Sequence, residues 1–218
     1  MSQRSGFPMW LIPLLAGIGA LVLVFGILVV MEGGGSRPAQ AGEVTSSGRA
    51  DIGGPFTLVD QTGRTVTEAD FRGRPMLIYF GFTYCPDICP FSLQIMAQAL
   101  DQLPEDQRAE IQPILITVDP ERDTPEQLAQ YVASPAFPDH LVGLTGTPEQ
   151  IAAVAAEYRV IYRRAQEEDA PDDAYTMDHT SLIYLMDREG EFHSVYAHGT
   201  PPAQLAQGLQ DFLEENPR

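Results

Sequence analysis

With 218 residues, 44% of them hydrophobic and 20% charged, the chain has a globular composition and room for one domain, at most two. Thirteen cations against 30 anions give a formal charge of -17, which makes nucleic acid and anionic lipid surfaces poor partners and suits a domain that meets cationic or metal-bearing surfaces. Every cation is arginine, a feature that compositional bias accounts for.

Residues 1–8 read as a short cytoplasmic N-terminus. Met9 to Met31 carry no charge and are long enough to cross the ~30 Å of bilayer hydrocarbon as a helix, so 9–31 is predicted to be a transmembrane anchor. Arg4 before it and Glu32 after it put the N-terminus in the cytoplasm and the remainder outside. A cleaved signal peptide is the rival, because Ala39-Gln40-Ala41 has the small-x-small form of a cleavage site. The apolar run exceeds the usual ~7–15 residue core and stops well short of that site, which favours a retained anchor. Residues 32–50, from Gly33-Gly34-Gly35-Ser36 to Ser46-Ser47-Gly48, are small and polar and read as a flexible linker. The exported domain is 51–218.

Within that domain, Phe56 to Asp60 and Thr65 to Thr67 flank Gln61-Thr62-Gly63-Arg64, the pattern of a hairpin. Thr67-Glu68-Ala69-Asp70 reads as a short capped turn. Met76 to Phe82 is an apolar, aromatic run, predicted to be a buried strand. A helix is expected from about Pro90 to Leu103, with Phe91, Ile95 and Leu100 or Leu103 on one face and Pro104 as its stop. Pro113 to Val118 is a second buried strand. Thr124-Pro125 and Thr147-Pro148, each followed by glutamine at the right distance, begin two more helices. His140 to Leu144 and Val160-Ile161-Tyr162 are short strand candidates. Ser181 to Met186 and Phe192 to Tyr196 flank Asp187-Arg188-Glu189-Gly190, a second hairpin, and Thr200-Pro201-Pro202 opens a last helix. Strands alternating with helices, closed by a hairpin and a helix, predict an α/β fold with a mixed central sheet flanked by helices.

The only two cysteines stand four residues apart in Tyr84-Cys85-Pro86-Asp87-Ile88-Cys89-Pro90, where the buried strand gives way to the helix. Pro90 suits a first helical position, which places Cys89 at the cap and Cys85 in the preceding turn. The free amides and positive dipole end of a helix N-terminus favour thiolate, the form that binds metal or attacks a disulfide. A reactive dithiol at a strand-to-helix junction is the thioredoxin arrangement. A structural disulfide is the plain alternative, but so short a loop constrains little chain entropy.

His179 is the best third group. In the thioredoxin fold the segment leading into the strand that begins at Ser181 packs beside the dithiol, and a redox enzyme usually carries a cis-proline there. Here no proline occurs between Pro171 and Pro201. Two thiolates and an imidazole form a soft, low-coordinate set suited to Cu(I) and able to hold Cu(II) or Zn(II). His140, His193 and His198 are weaker candidates, the last because it follows the hairpin before Gly199 and could line the same end of the domain. Asp119 to Pro125 look like a carboxylate cluster, most of which turn and cap chemistry accounts for. Asp87 and Asp178 are candidates for tuning the sulfurs or orienting the imidazole, against an ordinary role as exposed turn residues. Glu167 to Asp173 form a solvated acidic loop in which a docking or lid role stays open. Met96 and Met186 read as core, and Met177 as a possible thioether ligand. A thiol peroxidase is disfavoured because the residue three before Cys85 is Phe82 rather than threonine.

Cys85-Pro86-Asp87-Ile88-Cys89-Pro90, Val118-Asp119-Pro120-Glu121-Arg122-Asp123-Thr124 and Asp178-His179-Thr180, in that order, closely resemble the Sco/SenC proteins from about Ile52 to Phe212. The resemblance implies a thioredoxin-like fold and a copper-binding assembly factor for cytochrome c oxidase, acting on the subunit with the binuclear copper centre. It implies Cys85, Cys89 and His179 as ligands of Cu(I) or Cu(II). The expected protein is a metallochaperone rather than an enzyme, single-pass in a bacterial inner membrane with 51–218 in the periplasm. Other periplasmic copper chaperones or thiol reductants are further expected partners. The alternative is a thiol-disulfide reductase, with Cys85 and Cys89 as its catalytic pair, that keeps the target's cysteines reduced.

Overall fold

The computed structural model describes residues 51–166, 171 and 174–217. The expected anchor and linker, and all of the acidic loop except Pro171, lie outside the described residues. Among the described residues no helix is long and apolar enough to cross a membrane.

The first hairpin is β1 (Thr57–Asp60) and β2 (Thr65–Thr67), followed by a 3-10 turn, Glu68–Phe71, with a capping box between Thr67 and Asp70. The strand β3 (Met76–Gly81) leads through Phe82 to Asp87 into α1 (Ile88–Leu100), then α2 (Glu105–Glu110) and β4 (Gln112–Thr117). Next come α3 (Pro125–Val132), β5 (Val142–Thr145), α4 (Pro148–Glu157), β6 (Tyr162–Ala165) and β7 (Thr176–His179). The chain closes with β8 (Leu182–Met186), β9 (Phe192–Ala197) and α5 (Pro202–Glu215). Seven strands form one mixed sheet in the order β2-β1-β5-β4-β3-β8-β9, parallel from β3 through β4 to β5 and antiparallel elsewhere, as expected for the predicted class. Every residue of β3 and β4 is buried, which is why both run nearly unbroken in apolar residues: each is covered on both faces. Each large side chain so buried contributes about 1.5–3 kcal/mol before conformational entropy is charged against it. The helices α1 and α5 pack on each other, and α3 lies against β5.

The caps read from the sequence are present. Thr124 accepts a hydrogen bond from the Gln127 amide, and Thr147 and Gln150 form a reciprocal capping box. Gly190 takes φ +83 in the turn between β8 and β9, a conformation costly for any residue with a Cβ.

Several boundaries differ from the sequence reading. The cap of α1 is Asp87, so Cys89 is the second helical residue and Pro90 the third. A missing N–H costs nothing anywhere in a first turn, so proline marks the turn and not one position in it. Phe91 is exposed, whereas Ser92, Leu93, Ile95, Met96, Ala99 and Leu100 form the buried face. The helix ends at Leu100, and Pro104 caps the unpredicted α2 instead. Val160 and Ile161 precede β6 rather than form it. That strand pairs only with β7, so His179 closes a strand of a separate hairpin where a loop was expected.

Candidate metal centre

Gly81 ends β3 in the middle of the sheet, and the chain turns at once toward α1. Cys85 lies half-buried in this turn and Cys89 is fully buried beneath it; both are free thiols. The Cys89 amide points at Cys85 Sγ, 3.4 Å away. Hydrogen bonding from the Cys89 thiol, then from the amides of Cys89, Asp87 and Ile88, pulls Cys85 down to about 5 against its partial burial. The same neighbouring sulfur and complete burial push the Cys89 thiol up. The two sulfurs thus titrate as a coupled pair in which hydrogen bonding favours the charge on Cys85 and burial favours the proton on Cys89.

His179 arrives from the other side. Its Nε2 is 3.5 Å from Cys89 Sγ, and its Nδ1 is 3.0 Å from the Thr180 carbonyl oxygen. A carbonyl only accepts, so Nδ1 carries the hydrogen and the Nε2 lone pair faces the sulfurs. Burial pushes the imidazole below its ordinary pKa and keeps it neutral. The ring is held edge-on by Tyr79 and Phe82, with centroids at 6.1 and 5.9 Å. Asp178 does not orient it, because its carboxylate pairs with Arg163 at 2.8 Å. Asp87 likewise reaches Cys85 through its amide, and its carboxylate makes no cap bond.

The Val118 to Thr124 segment braces both approaches. Asp123, fully buried, accepts from the Thr83 amide at 3.0 Å, the Thr83 hydroxyl at 2.6 Å and the Thr117 hydroxyl at 2.6 Å. That fastens the loop two residues before Cys85. Asp119 accepts from Arg122 Nε at 2.5 Å and from the Tyr175 hydroxyl at 2.8 Å, while Arg122 Nη1 donates to the Tyr175 carbonyl at 3.0 Å. The structural role read for these carboxylates is what the contacts display.

The other candidates stand apart from the sulfurs. His140 takes a left-handed φ of 57 and lines a different cleft, beside Pro138 and Asp139. His193 packs its ring against Phe212. His198 does lie at the same end of the domain, where its Nδ1 is 3.1 Å from Ser92 Oγ and its ring touches Phe91. Met96 and Met186 are core residues, and Met177 packs on the core beside Tyr162 and Tyr175. Sequence reasoning assigned no task to Gly81, where a Cβ would stand 2.8 Å from the Tyr79 ring and 3.0 Å from Cys89 Sγ. A glycine closing a buried strand just ahead of paired cysteines was the available signal. Nothing local announced Tyr79, Phe82, Thr180 or Tyr175.

Two sulfurs and one unprotonated imidazole nitrogen thus meet at one end of the domain, a donor set for a soft ion. Among the described residues no three His, Cys, Asp or Glu side chains are already closed around one point. The set is open: Cys85 touches Cys89, and Cys89 touches His179.

A family model described as SCO1/SenC matches residues 44–214. Protein SenC of Rhodobacter capsulatus is 38% identical over 203 residues, which cover 92% of this chain and 89% of that protein. The mitochondrial SCO1 homolog 1 of Arabidopsis thaliana is 43% identical over 77% of this chain, and the chain spans about half of its length, 48%. Among solved structures, that of Bradyrhizobium japonicum ScoI with copper bound is 44% identical, with a TM-score of 0.66 over 74% of this chain and 99% of that one. The structure of BsSco, described as a member of the Sco family of cytochrome c oxidase assembly proteins with a disulfide switch, is 26% identical. It aligns with a TM-score of 0.58 over 76% of this chain and 95% of that one.

Proposed function

The chain belongs to the SCO1/SenC family, and from that premise we propose that it is a membrane-anchored copper metallochaperone serving cytochrome c oxidase. One observation carries the reading: the lone pair of a neutral His179 faces Cys89 Sγ, beside the Cys85 thiolate. Copper is the cargo. Cys85 meets the ion as an anion, Cys89 gives up its proton as it ligates, and His179 completes a three-ligand site without a protonation change. Copper bound in the ScoI structure of B. japonicum supports this assignment for a relative of the same family. Three ligands leave the ion open to attack by an incoming thiolate, so transfer to the copper-centre subunit of the oxidase proceeds by ligand exchange.

Exchange requires the recipient to sit on the mouth of the site, and the surface there suits a protein. The exposed large hydrophobic side chains among the described residues are Tyr84 at 56%, Ile88 at 41%, Phe91 at 47% and Ile161 at 77%. Tyr84 and Ile88 adjoin the cysteines, Phe91 follows on α1, and Ile161 shares a cleft with His179. The uncharged segment 9–31 would hold the domain at the periplasmic face of a bacterial inner membrane, within reach of a membrane-bound recipient.

A second reading rests on the same dithiol. Free, paired cysteines with one stabilised thiolate can reduce a target's disulfide, and the disulfide switch named for BsSco is consistent with such chemistry. The two readings separate at His179. In cells lacking the native gene, a His179→Ala chain should fail to restore oxidase activity if copper delivery is the task. Full restoration by that variant would transfer the function to the thiol pair alone.

A further inference from the structure

The hairpin that carries His179 has few fastenings. Its strands β6 and β7 pair only with each other, and an isolated two-stranded hairpin has little stability of its own. One end continues through Thr180 and Ser181 into β8, and the side chains of Tyr162 and Met177 rest on the core. The other end is gripped at Tyr175, the residue before β7. The Arg122 guanidinium lies 3.6 Å from the Tyr175 ring centroid and donates to the Tyr175 carbonyl at 3.0 Å. Its Nε is held by Asp119, which also takes the Tyr175 hydroxyl. The same guanidinium stands 4.7 Å from the ring of Tyr84, the residue before Cys85. Arg122 therefore contacts the chain one residue from the thiolate and four residues from the imidazole.

We propose that Arg122 is a positioning residue for the metal site: packed against Tyr84 and Tyr175, it holds the His179 hairpin over the dithiol and sets the separation of imidazole and sulfur. This rests on the copper reading above. Only a planar guanidinium can lie on aromatic rings while donating in two directions from one plane; lysine keeps the charge but loses the fork and the stacking. The Arg122 side chain is 16% exposed and that of Asp119 3%, so solvent does little to screen the arrangement.

The test uses Arg122→Lys and Tyr84→Ala, alone and combined, on the full chain in detergent. In the metal-free protein, amide exchange at Thr176 to His179 should rise about tenfold or more in Arg122→Lys, with β3 and β4 unchanged. On copper(II) addition, affinity should fall about 10–100-fold and the nitrogen hyperfine coupling of His179 should weaken, the scale seen when a residue supporting a ligand is lost. Tyr84→Ala, an exposed change that tests the proposal even if Arg122→Lys fails to fold, should shift both readouts the same way by less. The double variant should add little to Arg122→Lys, because both remove one clamp. Uniform loss of protection across the sheet would make Arg122 merely structural and overturn the proposal. So would a wild type with nitrogen coupling and an Arg122→Lys variant indistinguishable from it. A wild type that binds copper without nitrogen coupling would instead sink the copper reading, and the positioning role with it.

Discussion

Cys85 and Cys89 share one helix start but differ in ionisation. Cys85 receives the Cys89 thiol and three backbone amides and is held at about 5; Cys89 lies dry beneath it and is pushed up. The depressed value means that the thiolate persists above about pH 5 and is lost as pH falls through that value, when a bound ion must compete with protons for the sulfur. Alkylation of the reduced protein should therefore mark Cys85 first. Its rate should be nearly flat from pH 8 to 6 and should fall about tenfold per pH unit below the Cys85 pKa, as thiolate fraction dictates. Peptide mapping against pH measures this; equal labelling of the two cysteines, or a rate that climbs through pH 8, would mean the helix start does not act as described. His179 complements the pair by remaining neutral, since its Nδ1 hydrogen is committed to the Thr180 carbonyl and burial opposes a second proton.

The Val118 to Thr124 segment works as a single element because its polar side chains turn inward to two neighbours at once. Asp123 alone secures three donors in a fully buried setting. Asp123→Ala should cost roughly 2–4 kcal/mol in urea unfolding, since it strands the Thr83 amide and two hydroxyls, and should loosen the cysteine loop enough to weaken metal binding. A loss below about 0.5 kcal/mol would assign the loop's rigidity to Gln127, which also reaches Thr83, or to packing. Elements of this kind mark the limit of the sequence. Thr124 and Thr147 were legible as caps because a cap bonds within three residues, and the turn from Asp187 to Gly190 because the glycine it needs stands beside it. Cys85, Cys89 and His179 were legible as a candidate set because few residue types bind soft ions, and the fold brings Cys89 Sγ and His179 Nε2 to 3.5 Å. The placement of Cys89 was read two positions early, since Pro90 fits any site in a first turn. Phe91 was assigned inward by periodicity, yet its outward face is part of the apolar rim. Arg122 was legible as part of the Val118 to Thr124 motif, but its contacts with Tyr84 and Tyr175 were not, because those rings lie far away in the chain and meet it only once the fold is complete.

For the whole molecule, the mixed sheet brings three distant segments to one end: the strand-to-helix turn with the cysteines, the braced segment after β4, and the β6–β7 hairpin with the histidine. A net charge of -17 opposes association between copies, while Tyr84, Ile88, Phe91 and Ile161 are exposed apolar side chains, the first two beside the cysteines. The fold was legible at this scale because β3 and β4 are unmistakable buried runs and the helices α3 and α4 carry their own threonine caps. The separate hairpin was not, since Val160 to Tyr162 reads as one more strand of a single sheet. The most direct measurement is a copper titration of the reduced chain beside His179→Ala, followed by visible absorption and electron paramagnetic resonance. One equivalent bound by the wild type, with thiolate-to-copper charge transfer and histidine nitrogen coupling that the variant lacks, is the predicted result. Weak binding that is indifferent to His179 would contradict the copper site and leave a thiol-disulfide reductase in its place.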